Sequence, residues 1–347
     1  MRTALSEAPE HESWESLVSG SLHSGEDLAS LFRINPADVD QVLKRYPMRI
    51  NPYYLGLIRG PGDGLFEQAV PDPRELQGQE GFEDPLAEED LSPVPGLTHK
   101  YPDRVLFLVS SRCAMYCRFC NRKRKVGRSS MVTRETIREG LSYIRKNRKV
   151  RDVLLSGGDP LLLPDDQLFK LLSEVRSVPH VDIIRIGSRV PCTLPHRITP
   201  ELVRLLRGFH PLFISTHFNH PAEVTPEASL ACARLADAGI PLGCQTVLLK
   251  GVNDDEEILE GLMRRLVRIR VRPYYLFQAD LARGTSHFWT PVEQGRRIMS
   301  RLQKSLPGFA VPHYVIDLPG GGGKVELGAR STFPVPSSEF RVSSFRI

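Results

Sequence analysis

Three cysteines stand within eight residues, Cys113-Ala-Met-Tyr-Cys117-Arg-Phe-Cys120, a C-x3-C-x2-C spacing, while Cys192, Cys232 and Cys244 are scattered singly. Thiolates crowded on one short loop suit a metal or cluster better than disulfides. Each can hold one iron of a [4Fe-4S] cube, which normally takes four cysteines, so one iron stays open to chelate a small ligand. A closed zinc site needs a fourth ligand, and no other Cys or His lies nearby. A chance trio of buried cysteines is the bland alternative. The other three cysteines read as small buried residues. Downstream, the glycines of Ser156-Gly157-Gly158-Asp159-Pro160 let backbone amides approach a ligand, or simply form a tight turn. Arg118, Arg122, Lys123, Arg124, Lys125 and Arg128 form a basic run, ordinarily a solvated face and alternatively an RNA contact. Arg122 falls two residues after the last cysteine, where a planar guanidinium suits a substrate carboxylate.

The elements that position these residues are legible from Arg104 onward. Short β-branched runs alternate with amphipathic stretches of helical period, giving six strand-helix pairs. The strand runs are VLFLVS, DVLLSGG, DIIRIGS, LFISTHF, IPLGCQTVLL and RPYYLFQAD, and a seventh short strand, HYVID, follows. Such a pattern predicts an α/β fold: a parallel sheet with helices outside, curled into a complete or partial (βα)6-type barrel, with a doubly wound open sheet as runner-up. Both place their chemistry at the carboxyl ends of the strands, where the cysteine loop and the Gly-Gly turn fall. Residues 1–98 read as a helical appendage and a linker rich in Pro and Gly, of the kind that wraps a neighbour or covers a site. Residues 99–310 read as the barrel, and 311–347 as a short carboxyl-terminal segment and tail.

Over 347 residues, 41% hydrophobic and 25% charged, the chain has ample material for a core, which excludes disorder, collagen and disulfide scaffolds. A net charge of +5 is far from that of a dedicated nucleic-acid binder. The opening residues lack an apolar signal region and no run approaches a membrane span, so a cytoplasmic protein without membrane or nucleic-acid partners is expected.

The cysteine loop resembles that of the radical S-adenosylmethionine (SAM) enzymes. CAMYCRFCNRKRKVG, LLSGGDPL, RIGSRVP, THFNHP, LADAGIPLGCQTVLLKGVND, RIRVRPYYLFQADLARGTSHF and LPGGGGK together resemble the lysine 2,3-aminomutase family, over about residues 97 to 325. The resemblance implies a partial radical SAM barrel, a [4Fe-4S] cluster on Cys113, Cys117 and Cys120, SAM and pyridoxal 5′-phosphate (PLP). It implies that Ser156, Gly157, Gly158, Asp159, Arg189 and Gln245 line the SAM pocket. Lys324, behind four glycines, is implied to be the Schiff-base lysine on a flexible tether, with Tyr101, Arg104 and His217 as further PLP contacts and Lys100 a less certain one. Arg122 is implied to hold the substrate α-carboxylate, and Asp280 and Asp317 to cage a distal ammonium. Two Asp favour a cationic side chain over that of glutamate, because burying like charges without partners is costly.

The activity implied is an isomerase reaction, L-α-lysine to β-lysine, with a flavodoxin or ferredoxin-type reductant. Rival expectations are an aminomutase for another amino acid such as arginine or ornithine, supply of β-lysine for modification of translation elongation factor P, a radical SAM enzyme acting on RNA, and a non-enzymatic iron-sulfur scaffold. Longer family members build a zinc site from a Cys directly after GVND and a Cys-rich tail. Here Asp254 follows GVND and no Cys follows Lys324, so no zinc is expected and a homo-oligomer is left open.

Overall fold

The computed structural model of the chain describes residues 13–77 and 80–328. The opening twelve residues and the tail from 329 on, which bear on the expectations about a leader and a zinc site, lie outside the described residues.

One nine-stranded sheet runs in sequence order. Its strands are β1 (Leu97–Tyr101), β2 (Arg104–Ser110), β3 (Asp152–Gly157), β4 (Ile183–Gly187), β5 (Leu212–Thr216), β6 (Leu242–Leu248), β7 (Arg272–Gln278), β8 (His313–Leu318) and β9 (Gly323–Glu326). Strands β2 to β8 are parallel, and β1 and β9 are antiparallel to their neighbours. The absence of any reversal in strand order removes the doubly wound alternative. The two ends of the sheet approach each other, since the Lys324 amide on β9 donates to the Tyr101 hydroxyl on β1 at 3.4 Å. The sheet is therefore curled into a nearly closed barrel.

Alternation along the strands decides what the barrel can hold. Val153 and Leu155, Ile184 and Ile186, Leu212 and Ile214, and Leu242 and Cys244 are buried. They pack with Leu141, Leu172, Leu206, Leu235, Leu266 and Leu302 of the surrounding helices in one core. The alternate residues, among them Leu154, Ser156, Gly187, Ser215, Gly243 and Gln245, are only half-buried. Several of these are small, so side chains do not fill the lumen as they fill the centre of a fully packed barrel.

The amino-terminal region is a layer of the molecule rather than an appendage. Short helices at Gly25–Ala29 and Pro36–Leu43 fall where helical patterns occur in the sequence. Leu28, Ile50, Tyr54 and Leu65 are fully buried in the main core, and Ile50 bridges to Met115 inside the cysteine loop. No helix among the described residues is long and apolar enough to cross a membrane.

Candidate active site

The cysteine loop leaves β2 at the carboxyl end of the barrel, and the Gly-Gly turn after β3 clamps its root. The amides of Gly158 and Asp159 donate to the carbonyls of Ser110 and Arg112, both at 2.6 Å. Gly157 has φ +125°, and a Cβ on Gly157 or Gly158 would lie 2.3 Å from Ser110 O or 2.4 Å from Arg112 O, so neither position accepts a side chain. Burial, with help from the neighbouring cysteines, pushes the Cys113 thiol up and the Cys120 thiol to about 11. Thiols in such a place ionise when a metal cation replaces the proton. The three sulfurs influence one another electrostatically, yet no three potential ligands converge on a single ion among the described residues.

The basic run is not a solvated face. Arg118 and Lys123 are buried on the equally buried Glu75, with Arg118 Nε and Nη2 at 2.8 and 2.6 Å from its oxygens and Lys123 Nζ at 2.7 Å. Arg122 pairs with Glu88, Arg124 with Asp84 and Glu89, and Lys125 with Glu89. The acidic linker thus neutralises five of the six cations, leaving Arg128 exposed, and removes the basis for an RNA contact. Glu75→Ala would leave two buried cations without a counter-charge. It is expected to lower the unfolding free energy by about 3 to 5 kcal/mol in urea denaturation.

Arg189 lies beside the cysteines. Its Nη1 donates to Cys117 Sγ at 2.8 Å, and Nη2 to Gln68 Oε1 at 2.6 Å and Glu223 Oε1 at 2.8 Å. Its Nε is buried without a partner. Tyr54, Gln68 and the Asn219 and His220 amides also donate to Glu223, making a rigid polar floor that sequence patterns do not reveal. The Asp159 carboxylate accepts from Leu161 N, Ser188 Oγ, Arg189 N and Val190 N. Burial raises this carboxyl to about 6 against those hydrogen bonds. These bonds tie the Asp159 carboxylate to the backbone at Leu161, Arg189 and Val190 and to the Ser188 hydroxyl. Gln245 projects from β6 on the half-buried, lumen side. His217 packs its ring against Phe119, bonds to Asn219 and feels the Arg189 cation. Burial and the Arg189 cation pull its imidazole down to about 3, so it is neutral, with Nε2 donating to Asn219 Oδ1 at 2.9 Å.

The second group gathers at the seam between β1 and β9. Lys324 is not on a free tether: it is part of β9, in register with Asp317 on β8, because the glycines close a tight turn between two paired strands. Its Nζ lies 3.0 Å from Asp317 Oδ2, and Lys100 Nζ lies 2.7 Å from Oδ1. The Tyr101 and Phe277 rings flank the Lys324 ammonium at 5.9 and 5.6 Å, and the Arg104 guanidinium stacks on Tyr101 at 4.3 Å. Asp280 completes the group. Burial and then Asp317 push its carboxyl up to about 7, while Asn121 donates to it at 2.8 Å. Arg122, Ser156 and Glu88 meet between the two groups, with Arg122 Nη1 at 3.4 Å from Ser156 Oγ.

A sequence profile of the Radical SAM superfamily matches residues 107–262. Over 321 residues the chain is 48% identical to the L-lysine 2,3-aminomutase of Clostridium subterminale, covering 90% of this chain and 77% of that one. It is 53% identical to the L-lysine 2,3-aminomutase of Methanococcus maripaludis over 296 residues, 84% of this chain and 68% of that one. The chain belongs to the lysine 2,3-aminomutase family of radical SAM enzymes. It is thus an isomerase whose cofactors are a [4Fe-4S] cluster, SAM and PLP. Within that family a glutamate 2,3-aminomutase from Clostridioides difficile is 43% identical over 292 residues, 83% of this chain and 69% of that one. The residues present fit the cofactors. Three thiols on one loop lie near enough to influence one another, a buried Arg189 Nε beside them lacks an acceptor, and the seam offers an amine, a guanidinium and aromatic rings suited to a phosphorylated pyridine.

Proposed function

We propose that the protein is an L-lysine 2,3-aminomutase, moving the α-amino group of L-lysine to the adjacent carbon to give β-lysine. The observation that carries this reading is the ion pair between a lysine ammonium, that of Lys324 itself, and Asp317 beside the buried Asp280. An ammonium on a four-carbon stem is what the distal end of the substrate presents. Lys100 and Lys324 balance Asp317, whereas the neutral Asn121 donates to Asp280, so a glutamate side chain would set a carboxylate against Asp280 in a desolvated site.

In this reading Cys113, Cys117 and Cys120 hold the cluster, and Ser156, Gly157, Gly158, Arg189 and Gln245 line the adjoining SAM pocket. Arg189 supplies its unpaired Nε to an anionic group, with Asp159 holding its backbone in place. Lys324, Tyr101 and Arg104 hold PLP at the seam, Lys100 balances Asp317, and His217 stands as a neutral ring between the pockets. Arg122 takes the α-carboxylate while Asp280 and Asp317 take the distal ammonium, fixing lysine at both ends. Bound together, the cofactors supply hydrogen-atom abstraction from the substrate and a conjugated ring that delocalises the unpaired electron. The chain contributes orientation and exclusion of water. The electron donor is a flavodoxin or ferredoxin-type protein, and the setting is the cytoplasm, where thiols stay reduced.

Asp280 makes the reading testable by pH. Its carboxyl is protonated below about 7 and charged above, so attraction for the lysine ammonium grows as pH rises through that value. The kcat/KM for lysine is expected to show an acid limb near pH 7, which Asp280→Asn removes while raising KM. Wild-type enzyme that turns over glutamate as well as lysine, or an Asp280→Asn enzyme with unchanged lysine kinetics and pH profile, would overturn the assignment.

A further inference from the structure

Arg122 lies 16% exposed beside the cysteine loop, and its partner is Glu88, 9% exposed, from the linker ahead of the barrel. Both Glu88 oxygens engage the guanidinium: Arg122 Nε donates to Oε1 and Oε2 at 3.0 and 2.8 Å, and Nη2 donates to Oε1. Burial works against the Glu88 carboxylate, yet Arg122 outweighs it and holds it below its ordinary range. The pair is therefore charged and locked at one edge of the guanidinium. The other edge, with Nη1, faces Ser156 at the end of β3 at the long distance of 3.4 Å. A planar fork fixed along one side can present its remaining N–H groups in only one direction.

We propose that Glu88 is the positioning residue for substrate carboxylate recognition: by binding Nε and Nη2 of Arg122 it aims Nη1 into the lumen. This rests on the reading of Arg122 as the carboxylate ligand. Glu88 also sets the charge balance. A free Arg122 would tend to pair with Asp280, whose field it feels, and thereby join the two ends of the site. With Glu88 in place the guanidinium is neutralised on its linker side, and Asp280 stays available for an ammonium. The linker thus supplies a part of the site that the barrel alone lacks.

The test compares two amines of equal reach on the cofactor-loaded protein: lysine, and 1,5-diaminopentane, which lacks the carboxylate. Binding is followed by the change in PLP absorbance without reductant, so turnover is not needed. Glu88→Gln is expected to weaken lysine binding about tenfold or more, as for a charged hydrogen bond that loses its alignment, while binding of the diamine stays as in wild type. In kinetics the change falls on KM more than on kcat. Arg122→Gln should show the same selective loss, and if it does not, the reading of Arg122 fails. If Arg122→Gln shows it and Glu88→Gln does not, that reading stands and the positioning role is wrong. Parallel loss of both amines in Glu88→Gln marks a merely structural ion pair and likewise overturns the proposal. Should Glu88→Gln fail to fold or to hold iron, Glu88→Asp keeps the charge but withdraws the carboxylate by one bond. The same selective loss is then expected, and unchanged lysine binding would refute it.

Discussion

Cys113→Ala, Cys117→Ala and Cys120→Ala should each abolish turnover and strip most of the iron from anaerobically reconstituted protein. A cube with three protein ligands already has one open iron, and removing a thiolate leaves only two anchors. Cys117→Ala carries an added cost, because Arg189 Nη1 loses its acceptor and the buried guanidinium that already has one orphaned nitrogen gains another. Cys192, Cys232 and Cys244 are fully buried in the apolar core. Their replacement by Ala should lower stability modestly and leave iron content and the visible spectrum intact. Iron and acid-labile sulfide analysis of all six variants separates the sets. Full iron in a variant at 113, 117 or 120 would remove the cluster from this loop.

The second large effect belongs to Lys324. Lys324→Ala should lose the borohydride-reducible covalent bond to PLP and reduce turnover by about a thousandfold or more, on the order of 4 kcal/mol of barrier. The fold should survive, because the 33% exposed side chain contributes little to the core, and β9 keeps its backbone pairing with β8 through Val315, Ile316, Asp317 and Leu318. Asp317 would keep Lys100 as its partner. Peptide mapping after reduction of the wild-type enzyme gives a complementary result, a pyridoxyl label on Lys324. A label on Lys100, whose ammonium shares the same carboxylate, would transfer the role to that lysine.

The barrel is legible because its strands are short runs rich in β-branched and other apolar residues and its helices carry one apolar stripe, both local signals. The cluster loop was legible because three cysteines in eight residues exceed any structural need. Pairings across long separations were not. Glu88 meets Arg122 from 34 residues away, and Glu75 meets Arg118 from 43. No periodicity links an acidic linker to a basic loop, so in sequence alone the basic run has the pattern of a solvated face. A glycine run in sequence signals freedom, yet here it closes the turn from β8 to β9, and only strand pairing reveals that Lys324 is held in register. Asp159 in a Gly-Gly-Asp-Pro turn gives no hint in sequence of its hydrogen bonds to Ser188 and Arg189. Glu223 gave no signal of its own, because its meaning comes from the buried Arg189 it neutralises.

The most direct measurement is anaerobic incubation of reconstituted enzyme with a chemical reductant, SAM and PLP, supplied in separate reactions with lysine, arginine, ornithine and glutamate, with products identified by mass and by chromatography against 3-amino standards. β-Lysine from lysine is the expected dominant product, dependent on all three cofactors, with glutamate inert. Conversion of glutamate, or no amino shift on lysine in protein that carries its full cluster and PLP, would contradict the assignment.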